Sequence, residues 1–226
     1  KQTAYVDGQG APLKDSFKQL VRTFKDAKAE KHVFVYLIAF FFFINGVYTI
    51  IDMATAYGSA LGLDTTGLLL ALLVTQIVAF PCAIIFGRLS AKYDTGLLIK
   101  VCIVCYTCIT AFGMFLVTLW QFWVLACLVG MFQGGIQALS RSYLGKIIKP
   151  ERSGEFYGLM DICGKGASFL GTTLVAFVSQ ITAGMKVNIF GLQLQNENLA
   201  VGSLIILFII GYLVFCKADK LNKERA

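Results

Sequence analysis

Long apolar runs constrain the fold of this chain more than any other feature of its sequence. A helix rises about 1.5 Å per residue, so about 20 apolar residues cross a hydrocarbon core of roughly 30 Å. The third run is about twice that length, and its Trp120 and Trp123 favour the headgroup level, so we expect the chain to turn back there. The uncharged runs cover residues 33–51, 65–87, 101–140, 166–185 and 198–216.

These runs predict six membrane-spanning helices and therefore an all-α membrane fold. Strands are not expected, because an open strand edge in lipid would leave backbone N–H and C=O groups without partners. Around a bundle over 33–217, the sequence predicts a cytoplasmic linker over 1–32 and a cytoplasmic tail over 218–226. The predicted helices cover residues 33–57, 65–90, 97–119, 122–147, 154–183 and 198–217.

Charged residues are scarce and unevenly placed. They make up 15% of the chain, against about 25% in soluble domains, which excludes an ordinary soluble enzyme. Eighteen of the twenty Lys and Arg residues lie in the terminal segments or in alternate connections between the runs. By the positive-inside rule, this predicts a multi-pass protein of the cell membrane with both termini in the cytoplasm. The net charge of +7 therefore reflects topology, and no nucleic-acid partner is predicted.

The first 32 residues are polar and of mixed charge. Leu20, Val21 and Phe24 recur at helical spacing among basic residues, which is typical of a short amphipathic helix on the membrane surface. A plain linker into the first span fits the segment equally well. The chain begins with Lys1 rather than Met, so we expect it to belong to a longer polypeptide.

Polar side chains inside the spans are the candidate functional residues, because such groups are costly in lipid and usually face a cavity or each other. Four of them recur at i, i+3, i+4 and i+7 on the first helix, and therefore share one face. Counting about 1.5 Å per residue, one polar residue on each of four helices lies about 16–18 Å deep, near the midplane. The first-helix set is Asn45, Tyr48, Thr49 and Asp52, and the midplane set is Asn45, Gln76, Gln133 and Lys165.

Each of these residues also has a structural interpretation. Asp161 and Lys165 either neutralise one another as an i,i+4 pair or act on the solute, with Lys165 binding a carboxylate. Asp52 either carries a proton or pairs with a substrate amine, or else lies in the headgroup zone. Gln133 and Gln137 fit helix–helix hydrogen bonding as well as ligand binding. For Arg141, snorkelling or a loop carboxylate is the expected role.

The sequence predicts no enzyme, cofactor or metal site. Its one histidine, His32, lies at the edge of the first run, and it has no Gly-x-x-x-x-Gly-Lys phosphate loop. Cys102, Cys105 and Cys108 are spaced by three, but they point in different directions on a helix and no histidine accompanies them.

Two regions resemble a known family. The connection after the second helix reads GRLSAKYDTG over residues 87–96 and is similar to the Gly-x-Leu-Ala-Asp-Arg-x-Gly signature of the major facilitator superfamily, in its second copy. Ala91 stands where the signature has its Asp, and Asp94 stands where it has its second Gly. The matching positions are Gly87, Leu89, Lys92 and Tyr93, and the gating motif that the resemblance implies comprises Gly87, Arg88, Lys92, Asp94, Arg141 and Arg152.

The second region is more specific. It reads GGIQALSRS over 134–142, KPER over 149–152 and GEFYG over 154–158, and it continues through Lys165 to Gly171. Together with NGV at 45–47, it resembles the vacuole-effluxer-like branch of that superfamily, which includes autophagy-related amino-acid effluxers. The resemblance covers about 40–216.

This resemblance implies the C-terminal six-helix half of a twelve-helix secondary transporter that works by alternating access. The partners it implies are the bilayer, the N-terminal six-helix half, a small polar solute such as an amino acid, and protons. Two alternatives remain open. A non-transporting scaffold or receptor of the same fold would explain the Ala91 departure, whereas a lipid transporter would need a mostly apolar cavity.

Overall fold

A computed structural model describes residues 30–183, 187–189, 192–194 and 196–224. The segment in which an amphipathic helix was predicted, around Leu20 to Phe24, lies outside the described residues. The elements are α1 (Lys31–Ala60), α2 (Thr65–Lys92), α3 (Thr95–Gly113), α4 (Leu119–Ile147), a 3-10 turn (Pro150–Arg152), α5 (Ser153–Ile181), β1 (Val187–Ile189), β2 (Leu192–Leu194), α6 (Asn196–Gly202) and α7 (Leu204–Lys223).

The six predicted spans and the all-α membrane fold are confirmed. Six stretches of the described residues are long and apolar enough to cross a membrane, with α6 and α7 together forming the sixth. The described residues include one short antiparallel hairpin, β1–β2, which pairs three residues with three in the connection before α6. We call the end of the bundle where α1 begins and α7 finishes the terminal end, and the opposite end the hairpin end.

Helix ends follow local side-chain chemistry. Asp64 accepts a hydrogen bond from the Gly67 N–H at 2.7 Å and so caps α2. Thr118 and Gln121 form a reciprocal capping box at the start of α4. At the end of α1, Gly62 has φ +75°, and the Leu63 N–H donates to the Gly58 carbonyl at 3.1 Å, which is the bond pattern of a Schellman motif.

The predicted turn at Trp120 and Trp123 is wrong by a few residues. The third helix ends at Gly113 rather than 119, because the Thr118 capping box begins the next helix at Leu119. Both tryptophans therefore lie in the first turns of α4, where Trp120 is 76% exposed. The sixth predicted helix is divided at Ser203 into α6 and α7.

The helices pack in a definite order. α1 packs against α7 and α5, α2 packs mainly against α4, and α3 packs between α4 and α7. An aromatic cluster joins α1, α4 and α7, with the rings of Tyr36 and Tyr143 5.0 Å apart and those of Tyr143 and Phe215 5.3 Å apart. The Tyr36 hydroxyl donates to the Ser140 carbonyl at 2.7 Å, which fixes α1 against α4.

Close helix contacts depend on glycines. A Cβ at Gly130 would lie 2.6 Å from the Thr75 carbonyl oxygen, and one at Gly134 would collide with the Ala79 carbonyl. This is the small-residue packing expected between membrane helices. α2 and α5 are the least buried spans, and they present large apolar side chains such as Phe80 and Phe169 away from the bundle.

Candidate functional site

A pocket of about 200 Å³ lies between α1, α4 and α5. Apolar side chains from α1 and the start of α5 form part of its wall, and polar and charged groups form the rest. We call it the central pocket. Its lining residues are Phe40, Ile44, Tyr48, Gln137, Arg141, Met160, Asp161, Gly164 and Lys165.

A salt bridge joins α4 to α5 in the central pocket. Arg141 donates from Nη2 to Oδ1 of Asp161 at 2.7 Å, and both side chains are about half exposed. Of the two interpretations of Asp161 and Lys165, the i,i+4 pair is therefore not found, because Asp161 pairs with Arg141 instead. The role expected for Arg141, snorkelling or pairing with a loop carboxylate, is wrong, because its partner Asp161 lies within α5. The planar guanidinium of Arg141 matches the geometry of a carboxylate better than the Lys165 ammonium does, which favours the pairing of Asp161 with Arg141 across the two helices.

Lys165 is the unpaired cation of the central pocket. Among the described residues, its ammonium takes part in no ion pair and no hydrogen bond, and its side chain is exposed. The Arg141–Asp161 pair is neutral as a unit, so Lys165 gives the pocket a net charge of +1. Tyr48 faces the same space from α1, and a Cβ at Gly164 would lie 3.5 Å from its ring, so the two helices approach closely here.

The remaining first-helix candidates lie outside the lining of the central pocket. Asn45 and Thr49 are buried, and the Thr49 hydroxyl donates to the Asn45 carbonyl at 2.8 Å. Both lie against Gly171 of α5, whose missing Cβ leaves room for their side chains. Asp52, nearer the hairpin end, is exposed and accepts a short hydrogen bond from the Ser168 hydroxyl.

The four residues of the midplane set do not converge on the central pocket. Lys165 lines it, Asn45 is buried between α1 and α5, and Gln76 is exposed on α2. Gln133 has a buried side-chain oxygen with no hydrogen-bond partner among the described residues. Counting residues from the helix start predicts the depth of a side chain in the membrane. It does not predict its direction, which depends on how the helix is rotated about its axis.

A second polar cluster lies at the terminal end, and Asp94 is its only member among the predicted site residues. Its centre is Asp219 of α7, which is 3% exposed. Asp219 accepts from Lys100 at 2.5 Å, from Lys223 at 3.2 Å and from the Tyr143 hydroxyl at 3.3 Å. The i,i+4 spacing of Asp219 and Lys223 was the available sequence signal, but the predicted helix ended at 217.

Asp94 joins this cluster from the turn between α2 and α3. It accepts from Lys223 at 2.6 Å and from the Gly96 N–H at 3.0 Å. The hydrogen bond from Lys223, with help from the Gly96 N–H and nearby Lys100, holds the pKa of the Asp94 carboxyl below its usual range.

Three other residues of the gating motif are exposed, and a fourth pairs within its own helix start. Gly87, Arg88 and Lys92 are exposed near the end of α2. Arg152 pairs with Glu155 at 3.1 Å at the start of α5. Within the part of the chain that the structure describes, no group of three or more His, Cys, Asp or Glu side chains could hold a metal ion.

Six apolar spans and a charged pocket among three of them are the features of a multi-pass membrane transporter. The sequence matches the family model described as vacuole effluxer Atg22 like over residues 5–220. The chain therefore belongs to the Atg22-like vacuole effluxer family of the major facilitator superfamily, as its sequence resemblance indicated.

Individual relatives agree with this assignment. The chain is 40% identical over 213 residues to the uncharacterized MFS-type transporter YxiO of Bacillus subtilis, covering 94% of this chain and 47% of that protein. It is 25% identical over 183 residues to autophagy-related protein 22 of Saccharomyces cerevisiae, covering 76% of this chain and 35% of that protein. The chain thus spans about half the length of the bacterial relative and about a third of the fungal one.

Proposed function

We propose that this chain is the C-terminal half of a secondary active transporter that moves a small polar solute by alternating access. The observation that carries the proposal is the central pocket, which places three ionised side chains from α4 and α5 beside Tyr48 within a bundle of apolar spans. Ionisable groups so placed are costly in a membrane and mark substrate or ion pathways.

An amino acid is the proposed solute. Its carboxylate would bind Lys165, the ammonium without a partner among the described residues, in a charge-assisted hydrogen bond. Its ammonium would share the Asp161 carboxylate with Arg141, which leaves one Asp161 oxygen free of that salt bridge. A zwitterion is thus matched at both ends, whereas a lipid would place its apolar chains against this charged wall.

The proposed partner is an N-terminal six-helix half of the same transporter. Two observations support it: the chain covers 47% of the bacterial relative, and α2 and α5 are the least buried spans. We place the assembled protein in the cell membrane with the terminal end in the cytoplasm, because the Lys and Arg residues concentrate at that end.

Asp52 is the proposed proton carrier. Its carboxylate is held by a neutral hydroxyl, that of Ser168, and no cation pairs with it among the described residues. Such a carboxylate can take up and release a proton without breaking an ion pair. Protonation of Asp52 would also change the electrostatic field at Ser168, which follows Lys165 by about one helical turn on α5.

Transport by the full-length protein in proteoliposomes tests these assignments. Lys165→Gln removes a charge-assisted hydrogen bond worth about 1.5–3 kcal/mol, so we expect KM for the amino acid to rise about tenfold or more. Lys217→Gln, which removes an exposed lysine near the end of α7, is the matched control and should leave KM unchanged.

The same vesicles separate the alternatives. Unchanged KM in Lys165→Gln would refute the role of Lys165. Amino-acid binding without uptake would indicate a receptor or scaffold, and exchange of a fluorescent phospholipid between leaflets without uptake would indicate a lipid transporter.

A further inference from the structure

A second cavity opens at the terminal end of the bundle, away from the central pocket. Its volume is about 410 Å³, which lies within the range of roughly 300–1,000 Å³ typical of ligand sites. We call it the terminal cavity. Its lining residues are His32, Asp94, Tyr143, Lys146, Ile147, Asp219, Asn222 and Lys223.

Two carboxylates and two ammonium groups line the terminal cavity, and one more ammonium, that of Lys100, bonds Asp219 from outside the lining. The two carboxylates, Asp94 and Asp219, are each held by ammonium groups: Lys223 bonds both, and Lys100 bonds Asp219. Lys146 is the third ammonium. It donates to the Thr95 hydroxyl at 2.6 Å and to the Ser90 carbonyl at 3.3 Å, which are neutral acceptors.

The cluster of Asp94, Asp219, Lys100, Lys146 and Lys223 carries a net charge of +1. Lys146 is its excess cation, since no carboxylate pairs with it among the described residues. An ammonium carries three donors, and two of those on Lys146 have partners. The third is available to an anion in the cavity. Asn222, whose amide donates to the Tyr143 hydroxyl at 3.0 Å, also lines the cavity, from α7.

We propose that the terminal cavity binds a phosphate group, with Lys146 as its principal ligand and Lys223 as the second cation. Lysine binds phosphate as a compact point charge. Lysines in a cavity between helices at the end of a bundle are also the kind of group that takes anionic lipid headgroups, and Lys146 is such a lysine without a carboxylate partner among the described residues. The phosphate belongs either to an anionic phospholipid or to a soluble phosphate, and the site is independent of the solute in the central pocket.

Native mass spectrometry of the purified full-length protein tests the proposal. The protein is titrated with phosphatidylglycerol, with phosphatidylcholine, and with phosphatidylglycerol in the presence of inorganic phosphate. We expect phosphatidylglycerol to bind more tightly than phosphatidylcholine. Lys146→Gln should weaken its binding about fivefold, since one lysine near the surface contributes about 1 kcal/mol.

Two variants make the result specific. Lys149→Gln removes an exposed lysine three residues further on that does not line the cavity, and it should bind as the unmodified protein does. Lys146→Arg keeps the charge and should retain most of the affinity, which separates loss of the ligand from loss of the fold.

If inorganic phosphate binds and Lys146→Gln weakens it, while the two lipids bind alike, the ligand is a soluble phosphate. If Lys146→Gln and Lys149→Gln weaken lipid binding equally, or if neither phosphatidylglycerol nor phosphate shows a Lys146-dependent affinity, the terminal cavity is not a phosphate site.

Discussion

Gly171→Ala should destabilise the bundle by forcing α1 and α5 apart. A Cβ at this position would collide with the Thr49 hydroxyl and with the Asn45 side-chain oxygen. Thr49 is held by its hydrogen bond to the Asn45 carbonyl at 2.8 Å, so it cannot turn away without losing that bond. Overpacking of this kind costs about 1–3 kcal/mol, and the two buried neighbours place Gly171 at the upper end.

The gain in helix propensity partly offsets this cost. Alanine is more favourable than glycine in a helix by about 1 kcal/mol, so the net loss should be about 2 kcal/mol. Gly166→Ala on the same helix is the matched control, because a Cβ there meets nothing within 4 Å. The control should be neutral or slightly stabilising.

Thermal unfolding of the full-length protein in detergent measures both variants. We expect a lower Tm for Gly171→Ala and an unchanged or higher Tm for Gly166→Ala. Thr49→Ala removes the nearest obstacle, so the double variant Thr49→Ala/Gly171→Ala should recover part of the loss. Equal Tm values for the two glycine variants, or no recovery in the double variant, would refute the close α1–α5 contact.

Two further predictions concern the terminal end and the isolated chain. Asp94→Asn should lower stability at neutral pH by breaking the contact with Lys223. Because the folded pKa of Asp94 is lowered, the stabilisation is present above the unfolded pKa of about 3.9 and is lost as pH falls through the folded pKa. The difference in Tm between the unmodified protein and Asp94→Asn should therefore persist at pH 5 and vanish only under strongly acidic conditions. A difference already lost at pH 5 would contradict the lowered pKa of Asp94. The chain of 226 residues, reconstituted alone, should show no saturable amino-acid uptake, since it lacks the proposed partner half. Robust uptake by the isolated chain would oppose the half-transporter proposal unless two copies pair.

The spans and their order were predictable because each depends on a one-dimensional quantity. Transfer of an apolar run into lipid depends on its length and composition, and these are read directly from residues 33–51 or 65–87. Turn positions were predicted less well. The Trp residues suggested a turn near 120, whereas the Thr118 capping box places it at 114–118.

The central pocket was predicted in part. Tyr48, Gln137 and Lys165 are predicted site residues because polar groups inside a membrane usually face a cavity, and all three line the pocket. Gln76 is predicted on the same grounds, yet it lies on the exposed side of α2. Sequence spacing relates residues on one helix, but it does not relate the faces of two different helices.

Hydropathy and charge act residue by residue, so six membrane crossings and the candidate polar residues can be read from the amino-acid sequence alone. Which of these residues come into contact depends on the packing of the helices. The tertiary structure pairs Arg141 with Asp161 and leaves Lys165 unpaired among the described residues. It also brings Asp219 to Lys100, 119 positions away. The physical reason is that the rotation of each helix about its axis depends on close packing at contacts such as Gly130–Thr75 and Gly171–Thr49, which only the assembled bundle contains.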